Sequence, residues 1–402
     1  MWNKNIINII FYVVVILLFA LYESAELAVV SLSKLDMDAD VVAYKFKVVL
    51  TFLCGIYCLF QKRPSIDFFR IVFILIMTVW VISVLHHEDS IIGYVIFSTD
   101  MLMPLVMLFY FYHVSQTISP KVFYIGLIVA LLILFYTFLN VYQIMLLSAF
   151  FYDVHTSASY IFLLLLPFFL VSNNKILMWG GVVFIAALMV FSLKRGGILS
   201  FALALMVFFG VESIITKRKA KIKSLIGIIL VMAIIALVVT YWLGDYFDTI
   251  VERFRSISDD GGSSRDSVYE TTWTMITRSE PTSLFFGHGW NMVLEDSPMD
   301  LSAHNDFMEV IYDFGVFAFC LYLFFFYRLY KTMFRLIKLR SVNAAPFAFS
   351  VITFTINSTI AHVFIYPFNF IAVAAVWGYI LGKEKTRQQV LNQLQNTQIA
   401  KR

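Results

Sequence analysis

The fold is decided by long stretches without charge, and the clearest is VFYIGLIVALLILFYTFLNVYQIMLL, residues 122–147. A helix that crosses a membrane needs about 20 consecutive, mostly apolar residues, and this stretch exceeds that length. Similar runs lie on both sides of it, near residues 6–22, 44–60, 68–85, 91–114, 158–171, 176–193, 197–215, 224–243, 308–327, 346–365 and 368–381. The pattern predicts an all-α, polytopic membrane protein with about twelve transmembrane helices.

The composition excludes several function classes. Of 402 residues, 61% are hydrophobic and 14% are charged, whereas about a quarter of a soluble domain is charged. One water-soluble core could not bury this much apolar surface. Soluble enzymes, nucleic-acid-binding modules and disordered scaffolds are therefore excluded. The three cysteines, at positions 54, 58 and 320, lie in apolar runs without metal or disulfide spacing.

The basic residues indicate the orientation. With the N-terminus inside, 21 of the 30 Lys and Arg residues fall on cytoplasmic segments or helix ends, notably 217–223 and 328–340. Short cytoplasmic loops carry an excess of Lys and Arg. We therefore expect both termini in the cytoplasm.

The chain divides around one long hydrophilic connection, which this orientation places outside. We expect helices 1–9 in residues 1–243, the outer loop with short helices in 244–305, helices 10–12 in 306–382 and a polar cytoplasmic tail in 383–402. Ser267 and Glu270 have capping-box spacing and predict a helix that stops at Pro281.

Some Lys and Arg residues lie in segments that are predicted outside, against the excess of these residues in cytoplasmic loops. Lys194 and Arg195 lie between the seventh and eighth predicted spans, and Arg265 lies in the outer loop. An arginine offers fixed donors that match phosphate oxygens, so for Arg195 and Arg265 we favour an anionic ligand. For the other outer arginines we favour ion pairs with the loop's own acids: Arg253, Arg255 and Arg278.

A histidine precedes the tenth predicted span. His304 lies three residues before Phe307, which begins a helical apolar stripe through Phe314. We expect its imidazole at the outer membrane surface, facing the helices, where it could accept a proton near neutral pH. Taken alone, His304 is better interpreted as a hydrogen-bonded interfacial residue.

Together these segments resemble the bacterial O-antigen ligase and polymerase superfamily of lipid-linked glycan transferases. Its Arg-x-x-x-Leu element is matched by residues 195–199, and its His-Asn-x9-Gly element by His304, Asn305 and Gly315. The loop elements of the family are matched by Arg265, Trp273, Pro281 and the Gly-His-Gly of 287–289. The resemblance covers roughly residues 190–320.

The resemblance implies inverting, metal-independent glycan transfer from a polyprenyl-diphosphate-linked oligosaccharide, without a cofactor. Arg195, helped by Lys194 and Arg265, would bind the diphosphate, and His304 would deprotonate the acceptor hydroxyl. The expected supporting residues are Asn305, Asp306 and Glu309. A polymerase would use a second lipid-linked repeat unit as acceptor, and a ligase would use a lipid A core. An acidic patch at Asp306 and Glu309 and the Tyr-Asp-Phe-Gly run of residues 312–315 favour the polymerase.

The resemblance also implies a place in the bacterial cytoplasmic membrane with the active site facing outside. The expected partners are the lipid-linked donor, the glycan acceptor, membrane lipids, and a flippase and chain-length regulator, but no nucleic acid. The competing class is a transporter or flippase, for which Asp100 and His362 are intramembrane ionisable residues. No internal repeat accompanies them, so we favour buried hydrogen bonds. We interpret His288 as a structural loop residue, and residues 86–89 as a solvated loop and not a metal site.

Overall fold

A computed structural model describes residues 4–32, 38–61, 67–86, 91–147, 158–192, 195–216 and 261–400. The described helices before the longest gap are α1 Lys4–Leu32, α2 Asp38–Leu59, α3 Asp67–His86, α4 Ile91–Thr117, α5 Pro120–Leu147, α6 Ala158–Leu170, α7 Lys175–Phe191 and α8 Arg195–Thr216. Those after it are α9 Gly261–Arg278, α10 Pro281–Phe286, α11 Met292–Asp296, α12 Asp306–Lys338, α13 Ala344–Ile360 and α14 Pro367–Ala400. These ranges contain no β-strand, which confirms the all-α prediction.

The described helices include five that are long and apolar enough to cross a membrane, within α1, α3, α5, α8 and α12. Helices α6, α7 and α13 are shorter and also apolar. Large apolar side chains such as Ile7, Leu132 and Met206 are exposed on the outer surface of these helices. Such surface suits lipid and not water. The chain is therefore a multi-pass membrane protein.

Several predicted features lie outside the described residues. They are Lys194, Arg253, Arg255, the basic segment 217–223, the predicted span 224–243 and the first part of the outer loop, 244–260. The count of about twelve spans, drawn from the length rule, therefore stays a prediction.

Helix α9 begins at Gly261, six residues before the predicted capping residue Ser267. Its buried side chains, Val268, Thr272 and Ile276, repeat every four residues along one face, and the helix packs against α12. Packing of this face stabilises the part of the helix that the sequence predicts, and residues 261–266 extend the helix before these contacts.

The predicted polar tail is also helical, because α14 continues from Pro367 to Ala400. Glu384 anchors this extension to the turn between α12 and α13. Its buried carboxylate accepts hydrogen bonds from the Ser341 hydroxyl and from Asn343 Nδ2. Burial raises the pKa of Glu384, but hydrogen bonds from Arg387 and these two residues outweigh it and hold the pKa below its ordinary value.

The C-terminal helices place the site. Helix α14 packs closely on α4, where Gly378 and Gly382 face the backbone of Leu108 and Tyr112 with no room for a Cβ atom. Small residues four apart allow this approach between helices in a membrane. Helix α13 packs along α8, and α12 packs along α3. The segment 361–366 between α13 and α14 therefore lies within a fixed frame of helices.

Candidate functional site

His304 lies in the short connection between α11 and α12 and has a left-handed backbone, with φ of 52°. Its side chain is exposed. The next residue, Asn305, caps α12, since its side-chain oxygen accepts hydrogen bonds from the N–H groups of Phe307 (3.0 Å) and Met308 (3.4 Å). Such a cap satisfies donors that have no partner within the helix. The cap fixes the direction in which the chain leaves His304.

Glu309 and His362 form a buried pair behind His304. The backbone N–H of His304 donates to Glu309 Oε1 at 3.1 Å. Glu309 Oε2 lies 3.2 Å from His362 Nδ1, and His362 Nε2 lies 3.0 Å from the Ser302 hydroxyl. His362 and Glu309 are only 8% and 2% exposed. The imidazole rings of His304 and His362 are 4.6 Å apart between centroids. Two histidines and one carboxylate thus meet at one end of α12.

Asp306 holds the segment that carries His362. Its fully buried carboxylate accepts hydrogen bonds from the N–H groups of Val363 (3.1 Å), Phe364 (2.9 Å) and Ile365 (3.3 Å). A carboxylate that accepts several backbone bonds is strongly held. Asp306 and Glu309 therefore do not form the acidic surface expected from the sequence, because both buried carboxylates accept hydrogen bonds from backbone N–H groups.

The start of α8 lies beside the same site. A Cβ atom built on Gly196 would lie 2.9 Å from both Ile360 Cδ1 and the Tyr160 hydroxyl. Ile360 precedes His362 by two residues, a reach of at most about 7 Å along the chain. Arg195 is the first residue of α8. Arg265 lies on α9, and the Tyr269 hydroxyl of this helix donates a hydrogen bond to the carbonyl of Thr359 in α13 at 3.3 Å. Helices α6, α8, α9 and α13 therefore converge next to His362.

A kink in α12 connects this site to the outer segment 281–296. The helix is interrupted at Gly315, with φ of 77°. Just before the kink, the carbonyls of Tyr312 and Asp313 accept hydrogen bonds from the N–H groups of His288 (3.1 Å) and Gly289 (2.8 Å). The interruption thus frees helix carbonyls, which dock the outer segment.

His288 belongs to this docking contact. Its ring stacks on Tyr312, with centroids 4.2 Å apart, and its Nε2 lies 2.9 Å from the Ser279 hydroxyl. Burial, helped by the charge of His86, lowers the pKa of His288, while Asp296 opposes the shift. A neutral ring fixed between Tyr312 and Ser279 suits a structural contact.

Asp100 has a partner that the sequence did not indicate. Lys47 of α2, which is 1% exposed, pairs with its carboxylate. The pair joins α2 to α4, and Asp100 also lines a small cavity with Phe364 and Pro367. Among the described residues, no three His, Cys, Asp or Glu side chains are placed to hold a metal ion.

Sequence reasoning singled out His304, Asn305, Asp306 and Glu309, and the structure brings these four together. The apolar run of residues 346–365 predicts that His362 lies within a span, whereas in the structure His362 lies in the non-helical segment 361–366. The signal that could have located it is Pro367, since proline favours the first turn of a helix and so separates His362 from α14.

The comparisons with known proteins agree with this location. The sequence model of the O-antigen ligase family matches residues 180–323, which runs from α7 into α12 and confirms the resemblance. Among curated proteins, no sequence matches the chain. The match and the apolar helices together indicate a membrane enzyme of the O-antigen ligase and polymerase type.

Proposed function

From the match to the O-antigen ligase family, we propose that the chain is an integral membrane glycosyltransferase. The Tyr-Asp-Phe-Gly run of residues 312–315 favours the polymerisation of polysaccharide repeat units. Its donor is an oligosaccharide linked to a polyprenyl diphosphate, and its acceptor is a hydroxyl of a second lipid-linked unit. The reaction takes place on the extracytoplasmic face of the membrane, inverts the configuration at the anomeric carbon and uses no metal.

In the proposed reaction, His304 removes the proton from the acceptor hydroxyl. The hydroxyl oxygen then forms a bond to the anomeric carbon, while the bond from that carbon to the diphosphate oxygen breaks. The proton remains on the His304 imidazole until water takes it, because the side chain is exposed.

Arg195, together with Lys194 and Arg265, binds the leaving diphosphate and stabilises its growing charge. Two features support this role. The first turn of a helix presents N–H groups that have no acceptor within the helix and attract anions, and Arg195 begins such a turn. The Gly196 backbone in this turn packs against Ile360, two residues before His362, so the turn lies close to the proposed base.

The observation that carries the proposal is the convergence of two matched segments on one place. Residues 195–199 and 304–315 both fall within the family match, and their structures meet through Ile360 and His362. The segments that carry the proposed base and the proposed diphosphate ligand thus both contact residues 360–362, which supports a joint role in transfer from a diphosphate.

The test compares His304→Ala with His288→Ala. General-base catalysis contributes about 10²–10⁴-fold, so His304→Ala is expected to lose product formation by that factor. Binding of undecaprenyl diphosphate is expected to persist. His288→Ala keeps most activity, because His288 makes only structural contacts. The measurement is glycan product in membranes with matched protein levels. Normal product from His304→Ala, with little from His288→Ala, would show that His304 is not the base.

A second candidate function, that of a ligase, differs from the proposed polymerase only in the acceptor. The description of the matching family, O-antigen ligase, favours transfer to a lipid A core. The purified protein with lipid-linked repeat units alone is expected to give a ladder of lengthening products. Product that forms only after lipid A core is added would identify a ligase instead.

A further inference from the structure

We propose that His362 is a positioning residue for His304, and that it holds the loop of the base through Glu309 and Ser302. The inference rests on the proposed function, since it assumes that His304 is the base. His362 lies beyond the family match, which ends at residue 323.

The contacts form a closed arrangement around residues 302–304. His362 meets Ser302 through Nε2 (3.0 Å) and Glu309 through Nδ1 (3.2 Å). Glu309 uses its other oxygen for the backbone N–H of His304 (3.1 Å). One buried imidazole therefore holds the loop at Ser302 directly and at His304 through a single carboxylate.

The loop needs such support because of its backbone. A left-handed conformation is unfavourable for a residue with a side chain, and His304 has φ of 52°. Residues in such conformations persist only when surrounding contacts hold them. The His362 ring, 4.6 Å from the His304 ring, also limits the space in which the exposed imidazole can turn.

Loss of this positioning is expected to slow the catalytic step more than it weakens binding of the donor. A displacement of about 1 Å in a reacting group can cost about 10²-fold in rate. Two of the cations proposed to hold the diphosphate, Arg195 and Arg265, lie on other elements, α8 and α9. Removal of the His362 ring is therefore expected to lower kcat and to leave the KM for the donor unchanged.

The backbone around His362 is held without its side chain. Asp306 binds the N–H groups of residues 363–365, and Asn369 Nδ2 donates to the His362 carbonyl at 2.8 Å. A substitution at position 362 therefore removes the ring contacts while the segment keeps its own anchors.

Three variants test the proposal: His362→Ala, His362→Asn and His362→Gln. The amide nitrogen of Asn can take the place of Nδ1 and reach Glu309, whereas that of Gln can take the place of Nε2 and reach Ser302. We expect His362→Ala to lose about 10–100-fold in kcat. We expect His362→Asn to recover most of this loss, because it keeps the link to His304, and His362→Gln to recover less.

The measurement is kcat and KM of the purified full-length protein, with lipid-linked oligosaccharide extracted from cells that lack the protein. His288→Ala is the matched control for loss of an outer histidine. The positioning role is wrong if His362→Ala keeps the normal kcat, if KM rises as much as kcat falls, or if His362→Asn is no better than His362→Ala.

His304→Ala, assayed in parallel, separates this inference from the proposed function. An active His304→Ala protein overturns the assignment of the base, whatever the His362 variants do. An inactive His304→Ala protein together with a fully active His362→Ala protein overturns only the positioning role.

Discussion

A diphosphate can be held by an arginine fork or by a lysine point charge, and the two differ in geometry. At the start of α8 the chain has Arg195. We expect Arg195→Ala to abolish product formation and Arg195→Lys to impair it severely, because an ammonium group cannot bind two phosphate oxygens in a fixed fork. The measurement is product formation at equal expression.

Arg278→Ala is the control for Arg195. Arg278 is the last residue of α9, the helix that also carries Arg265, a proposed ligand of the diphosphate. We expect this variant to stay active, since no diphosphate role is proposed for Arg278. Full activity in Arg195→Ala would exclude the diphosphate role of Arg195.

Residues close in sequence could be predicted to act together, and distant ones could not. His304 and Glu309 are five residues apart, so one helix start explains both. His362 and Lys47 were not identified as partners of Glu309 and Asp100, because those contacts depend on which helices touch. A pattern of apolar runs predicts helices but not their neighbours.

Among the elements, α12 shows most clearly how one residue shapes a helix. At Gly315 an added Cβ atom would collide with the Phe285 carbonyl, and the left-handed φ of 77° is unfavourable for any other residue. A left-handed backbone conformation costs a residue with a side chain about 1–2 kcal/mol. We expect Gly315→Ala to destabilise the protein by more than this, because the added Cβ atom also collides with the Phe285 carbonyl. The measurement is the Tm of the purified protein in detergent.

Gly55→Ala is the matched control for Gly315. Gly55 lies in α2, and a Cβ atom there meets nothing within 4 Å. Alanine favours a helix over glycine, so we expect an unchanged or higher Tm. An equal Tm for Gly315→Ala and the parent protein would show that the kink does not need glycine.

The position of most helices followed from apolar runs, but their ends did not. The run near 122–147 became α5, Pro120–Leu147, whereas α9 and α14 extend well beyond their predicted ends. For α14, a tertiary contact explains the difference, because Glu384 is held by hydrogen bonds from the turn before α13. Local signals cannot report such contacts.

For the whole molecule, the charge distribution predicts that α9 is extracytoplasmic and that the end of α14 is cytoplasmic. We expect a membrane-impermeant maleimide to label Gly262→Cys in intact cells, and to label Gln395→Cys only after the membrane is disrupted. The parent protein controls for the native cysteines, of which Cys320 is exposed. The reverse labelling pattern would exclude the proposed orientation and an outward-facing site.

The bonds from Asp306 to residues 363–365 also set an order of events during biosynthesis. The ribosome adds His304 about 60 residues before it reaches the segment 361–366, and it completes α12 about 20 residues before that segment. Until α13 has entered the membrane and that segment has emerged, the Asp306 and Glu309 carboxylates lack these partners. A partly translated chain therefore carries His304 without the surroundings described for it, and these contacts form only after residues 361–366 have been made.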